Sequence, residues 1–408
     1  MPRVRVVVVG AGVVGLSTAV CIAEALPQCS VTVLADRFSP YTTSDIAAGI
    51  IMGGAPLPDI AVERQRRWFK DTFDHLLAIA QSKEASEAGV LLTSGWQVFR
   101  EVPSERKPFW ADDVLGFRLM TEAELRRFPQ HKFGQALTTV KCECPFYLPW
   151  LEKRFKRAGG VLKHGHVADL LELCHGYDVV VNCSGLAARA LAGDSEVQAV
   201  RGQILRVHAP WLKHFIRDSD GHTYIYPGRD SVTIGGTRQE GDWRLAVDPR
   251  DTEGILERCH QLEPSLHGSV HLGELVGLRP GRACPRLERA LLETQGRRVP
   301  VVHNYGHGGW GVSFSWGTAL EALQLKERGM KGQSGERMRV TWTLVDAEHI
   351  GEEVRQQSLQ QEKHILQLLQ HPHQQVVLQN VPLGPLQGPF TWLPVRHTQH
   401  KRVTDKVT

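Results

Sequence analysis

Three short stretches of the chain are almost continuously apolar: RVRVVVV at 3–9, SVTVLA at 30–35 and DVVVNCSG at 178–185. Strands covered on both faces need no polar alternation, so these runs predict a parallel sheet flanked by helices. Two other stretches, GQILRVHA at 202–209 and SVTIGGTRQ at 231–239, alternate instead. Alternation predicts an antiparallel sheet with one open face, so two sheets are expected. Apolar residues recur at helical spacing over 60–82, 149–159 and 316–325, each predicting an amphipathic helix.

The apolar stretch from Val4 to Ala23 has the length of a signal peptide or membrane span. Its glycines are regularly spaced, however, and Val4 to Val9 is mostly β-branched, which favours a buried strand feeding a helix. No other stretch approaches the length of a span, so a soluble protein is expected. Near residue 327 the pattern changes. Residues 327–408 hold twelve glutamines and six histidines and too few apolar residues for a second core, so this part is expected to be a weakly folded tail, disordered or partly helical.

Composition narrows the function. A chain of 408 residues, 42% of them hydrophobic, can fill two domains. A formal charge of +4 without a basic block argues against nucleic acid and for small molecules. Eight scattered cysteines lack the density of a secreted disulfide scaffold and suggest a reducing, intracellular compartment. Cys142 and Cys144 form one C-x-C without a second pair, a poor metal site, so no metal is expected.

The first strand runs into Gly10, Gly12 and Gly15, a G-x-G-x-x-G turn that opens a helix. Such a turn brings backbone close to a pyrophosphate, and the helix N-terminus favours its charge. Asp36, 21 residues beyond Gly15 and at the end of the second strand, is placed to hydrogen-bond ribose hydroxyls. NAD and FAD share this ADP half, and the motif alone leaves both open. The following segment places Asp36 and Arg37 before the hydroxyl-rich Thr42, Thr43 and Ser44 and then small residues, where the chain can pass close to a second cofactor half.

In the order TSDIAAG, VVNCSGL, VRGQ, YIYPG, GGTRQ, GLRP and NYGHGGWG, the chain resembles the D-amino-acid oxidase family of FAD enzymes over residues 1 to about 325. The resemblance implies a doubly wound, Rossmann-like FAD-binding domain (1–52, 141–190 and 280–326). It is interleaved with an antiparallel-sheet substrate domain (53–140 and 191–279). It also implies FAD contacts from Val13, Val14, Gly49, Ile50, Ile51, Val167, Ser184, Gly185, Gly308, Gly309, Trp310, Gly311, Val312 and Ser313. The Gly309 carbonyl is then expected to hold the substrate amine. His307 is read as structural, because the family's chemistry needs no side-chain base.

Arg279, after an apolar strand and before a proline, is an unusual core residue, and its fork suits a carboxylate. A structural ion pair is the alternative. The resemblance assigns it the substrate α-carboxylate, assisted by the Tyr224 hydroxyl, with Arg238 a weaker candidate set further back. Broad-specificity members carry a longer lid where this chain has only RDSDGHT, beginning at Arg217. In members with acidic substrates an arginine there meets the side-chain carboxylate. The implied reaction is oxidation of D-aspartate, and more weakly D-glutamate or N-methyl-D-aspartate, by O2 to the 2-oxo acid, ammonia and hydrogen peroxide. Two alternatives are a broad or neutral-preferring oxidase, which the glycine-rich MGGAP segment at 52–56 would favour, and a silent FAD-binding protein with an interaction tail. Within the family the location is the peroxisomal matrix. The ending DKVT lacks the S-K-L-like address, which makes the cytosol the alternative.

Overall fold

The computed structural model describes residues 3–325 apart from residue 295, so the expected 327–408 tail lies outside the described residues. The predicted apolar strands meet in one six-stranded sheet. Arg5–Val9 is central, parallel to Ser30–Ala35 on one side and Val179–Asn182 on the other. Val161–His164 extends the sheet beyond Ser30–Ala35; Arg297–Tyr305, parallel, and then Arg286–Thr294, antiparallel, extend the other side. Val7 and Val8, on opposite faces, are both fully buried, which is why this strand shows no polar alternation.

Helix Val13–Ala25 leaves the first strand at the glycine turn and packs against helices Cys144–Arg157 and Ser315–Gln324. The latter also packs on helix Val62–Ala80, where Gly317 lies flush on the Trp68 backbone and donates its N–H to Thr72 Oγ1 at 3.0 Å. Two expected boundaries move. The strand expected over 178–185 stops at Asn182, whose side chain accepts the Ser184 N–H and hydroxyl, while Gly185 takes a left-handed φ of +59°. The helix expected from residue 149 begins at Cys144, because Pro145 occupies the tolerant first turn and Pro149 lies inside the helix.

The second sheet has nine strands. In spatial order they are Gln239–Glu240, Gln198–His208, Val232–Gly235, Tyr224–Pro227, Phe215–Asp218, Val90–Phe99, Phe133–Cys142 and Leu115–Leu119, with Val270–Gly281 also paired to Gln198–His208. It is antiparallel except where Val90–Phe99 runs parallel to Phe215–Asp218. One face carries Val98, Leu205, Val207, Ile216, Ile225 and Ile234, packed with Ile255 and Cys259 of helix Pro249–Leu262. The other face holds the intervening residues, among them Gln97, Arg217 and Tyr224.

The expected alternation is therefore present, but the open face is not. Tyr224–Pro227 and Val232–Gly235 are buried at every position. The polar half of the alternation faces the interior of the protein instead of bulk solvent. Among the described residues, no helix is long and apolar enough to cross a membrane.

Candidate active site

The three glycines of the first turn have different reasons to be glycine. Gly10 has φ +106°, and a Cβ there would lie 2.5 Å from the Cys183 carbonyl oxygen. At Gly15 a Cβ would overlap the Gly10 carbonyl. The chain itself demands these two. Gly12, at φ −75°, would meet only the Ser44 hydroxyl, at 3.1 Å. Its missing side chain leaves a space at a helix N-terminus that lacks a side-chain cap and a first-turn acid, where Ser44 Oγ accepts only the Val13 N–H, at 3.0 Å. A cradle that a Cβ would fill, at an uncapped N-terminus, fits a pyrophosphate.

Around this turn stand the other nucleotide candidates. Asp36 and Arg37 directly follow Ala35, both exposed and paired only loosely at 3.9 Å. Thr42 is more committed than expected: Asp45 accepts its backbone N–H at 2.9 Å and its hydroxyl at 2.7 Å, closing the turn that presents Thr43 and Ser44. Gly49, with φ +75°, lies against Cys142 and accepts the Cys142 N–H at 2.7 Å, which sets Ile50 opposite Lys141 and buries Ile51. The Val167 side chain belongs to the core beside Val7 and Val9 and leaves only its backbone for a ligand.

The 307–313 loop forms a second cradle. Gly308 takes φ +54° and lies beside Gly281, while a Cβ at Gly309 would meet nothing within 4 Å. Trp310 stacks on Phe314 at 4.4 Å, Val312 is buried, and the Ser313 hydroxyl donates to Met52 O at 3.4 Å. His307 is buried, its ring nitrogen 3.2 Å from Thr318 Oγ1, and burial alone drives it down to about 4. It is a neutral packing residue, consistent with a structural role.

Gly281, beside Gly308, ends the strand that carries Arg279. The Arg279 guanidinium lies over Gly202, where a Cβ would overlap it, and donates to Thr237 O at 3.2 Å. No carboxylate pairs with it among the described residues. Burial lowers its pKa most, Tyr224 works against that, and Arg238 adds to the lowering. Tyr224 leans over Gly235 and Gly236 and stacks on Tyr226 at 4.6 Å. Burial raises its phenol pKa, with Arg279 and Arg217 both pulling the other way. A third arginine, Arg206, pulls the same way.

Arg217 is paired in register with Tyr224 on the neighbouring strand. It has no carboxylate partner among the described residues, and its charge opposes the rise that burial gives the Tyr226 phenol. Arg238 is different: it is exposed and paired with Glu240 at 3.2 Å, and its charge acts on Arg279. The MGGAP segment does not widen a pocket. A Cβ at Gly53 would run into the Trp110 and Trp310 indoles, so Gly53 lets two large rings close in.

Gln97, Gln135 and Trp110 escaped the sequence reading. Gln97 lies opposite both Arg217 and Gln135, and the Oε1 atoms of both glutamines and the Trp110 indole N–H are buried without partners. The period-two pattern of TSGWQVF, which sets Gln97 apart from Trp96 and Val98, was a usable signal for Gln97. Trp110 lies in an irregular segment and gave none. Cys142 and Cys144 are buried, and no metal-ligating cluster occurs among the described residues.

Residues 5–325 match the family described as FAD dependent oxidoreductase (DAO). The chain is 59% identical over 325 residues to D-aspartate oxidase of Homo sapiens, covering 80% of this chain and 95% of that protein. It is 42% identical over 325 residues to a D-amino-acid oxidase of Rubrobacter xylanophilus, covering 79% and 95%. Among solved structures, glycine oxidase from Geobacillus kaustophilus aligns with a TM-score of 0.64 at 20% identity over 79% of this chain and 95% of that one. That likeness speaks for the fold alone. The family match takes in both glycine cradles and the strands bearing the arginines, and the chain belongs to the DAO family of FAD dependent oxidoreductases.

Proposed function

We propose that this enzyme oxidises acidic D-amino acids, D-aspartate foremost and D-glutamate and N-methyl-D-aspartate more weakly, with O2, giving the 2-oxo acid, ammonia and hydrogen peroxide. The name D-aspartate oxidase borne by a relative at 59% identity supports the substrate class. The observation that carries the reading is the Arg279–Tyr224–Arg217 group: two cations without acidic partners among the described residues, both acting on one buried phenol, with Arg217 its register partner. A guanidinium partly withdrawn from water and lacking a counter-charge is costly, and a carboxylate ligand relieves that cost.

FAD, when bound, supplies the two-electron acceptor. Gly10, Gly12, Gly15, Asp36, Arg37, Ser44 and the 308–313 loop would hold it, in a domain formed by 1–52, 141–190 and 280–326. The chain's part in the reaction is positioning. Arg279 grips the α-carboxylate in a bidentate fork while Tyr224, kept as a neutral phenol by burial, donates to it. The Gly309 carbonyl accepts from the substrate amine, and Arg217 takes the side-chain carboxylate. On the family resemblance we assign the peroxisomal matrix; an N-terminally tagged chain that stays diffuse in the cytosol would overturn that assignment. Anaerobic mixing of the yellow holoenzyme with D-aspartate should bleach its visible spectrum while L-aspartate should not. Equal bleaching by both, or by neither, would refute the reading.

A further inference from the structure

Gln97 is 9% exposed, and its Oε1 is buried without a hydrogen-bond partner among the described residues. A buried acceptor without a donor is costly, so its neighbours on the sheet face matter. On one side its register partner is Arg217, whose five N–H donors meet no acid. On the other side is Gln135, whose orientation is settled: its Nε2 donates to Arg106 O at 3.0 Å, which leaves its Oε1 as a buried acceptor without a donor. An acceptor lacking a donor, an amide with one of each, and a guanidinium with spare donors therefore succeed one another across three strands.

We propose that Gln97 is a positioning residue for Arg217. Its amide N–H donates to Gln135 Oε1 and its amide oxygen accepts from the guanidinium. The row running from Arg106 O through Gln135 and Gln97 aims the fork. The neutrality of Gln97 is the point. A carboxylate here would also orient Arg217 but would cancel its charge, whereas an amide orients it and leaves that charge for a ligand anion. The inference rests on the reading of Arg217 as the group that meets the substrate's second carboxylate.

The test uses holoenzyme and compares kcat/KM for D-aspartate and D-alanine, with bound FAD confirming the fold of each variant. Gln97→Glu should lower kcat/KM for D-aspartate about 10- to 100-fold through KM, leaving kcat and D-alanine within about threefold. Gln97→Met, close in size and uncharged, should raise KM for D-aspartate about 3- to 10-fold, and carries the test if Gln97→Glu does not fold. In an Arg217→Leu background, Gln97→Met should cost nothing further, since the group it orients is gone. An unchanged D-aspartate to D-alanine ratio in the Gln97 variants, with a collapsed ratio in Arg217→Leu, would overturn the inference and spare the reading of Arg217. Full additivity of Gln97→Met with Arg217→Leu would also overturn it. Equal losses for both substrates in Arg217→Leu would remove the reading itself.

Discussion

Replacing Arg279 with Met should make the ligand-free site more stable and the enzyme nearly inactive. The side chain is half-buried, donates to one carbonyl and meets no carboxylate among the described residues, so in the free enzyme its charge is poorly compensated. An unbranched apolar residue of similar length fits the space over Gly202 and relieves that cost. A gain of about 1 kcal/mol corresponds to a rise in Tm of about 2–4 °C for a domain of this order of size. The catalytic loss runs the other way. Truncating one partner of a buried charge pair costs about 2 to 5 kcal/mol, so kcat/KM should fall by a factor of about 30 to several thousand. Because every amino acid offers an α-carboxylate, D-aspartate and D-alanine should suffer alike. Peroxide release measures the catalytic loss, and thermal unfolding monitored with FAD at fixed concentration measures the gain in stability. A variant that melts several degrees lower and retains turnover within about threefold would show Arg279 to be a structural cation, refuting the argument from its missing counter-charge.

Arg217→Leu should separate substrates instead of lowering all of them: D-aspartate turnover should fall about 10- to 1000-fold in kcat/KM while D-alanine holds or improves, as read by the same peroxide assay. Gly12→Val should yield a folded chain depleted of FAD, because no backbone of the chain crowds that position, whereas Gly15→Val should not fold; visible absorbance and circular dichroism distinguish the two. Truncation near residue 330 should leave FAD content and turnover within a few-fold, since the family match ends at residue 325. His307 is held at about 4 against an ordinary value near 6.5, so the unfolded chain binds more protons between those values. Its contribution is intact above about pH 6.5 and is lost as pH falls towards 4, and His307→Gln should flatten the acid side of a Tm-against-pH curve.

The first sheet was legible because its strands are buried on both faces, and a run such as Val6 to Val9 has few other uses. The glycine turn was legible for the same reason that it works: Gly10 and Gly15 answer to the backbone and Gly12 to a ligand, and all three requirements survive in one local string. The second sheet was read half correctly. Its alternation was plain, but the polar residues could belong equally to a solvent face or to an interior pocket, and only the distant elements that cover them decide which. Arg238 shows the same limit, since nothing in GGTRQ announces that Glu240 will pair with it. Gln97 and Trp110 owe their significance to partners on other strands and to atoms left unpaired, properties of packing that no local pattern carries.

The two faces of the second sheet divide labour by parity. Along Val90–Phe99, Phe215–Asp218 and Tyr224–Pro227, positions 96, 98, 216 and 225 hold the layer under helix Pro249–Leu262, while 97, 217, 224 and 226 look towards the pocket. Selection for new substrates can therefore move through every second letter of these strands with the intervening letters fixed, since the two sets do not share a packing surface. The same arrangement forbids one kind of change. A single-residue insertion or deletion in any of these strands would exchange the sets, sending an arginine into the apolar layer and an isoleucine into the pocket, and so would destroy folding and recognition in one step. Variation in length should then be confined to the turns, and the short one at 219–223, between the strands of Arg217 and Tyr224, is where a longer lid could enter without disturbing either face.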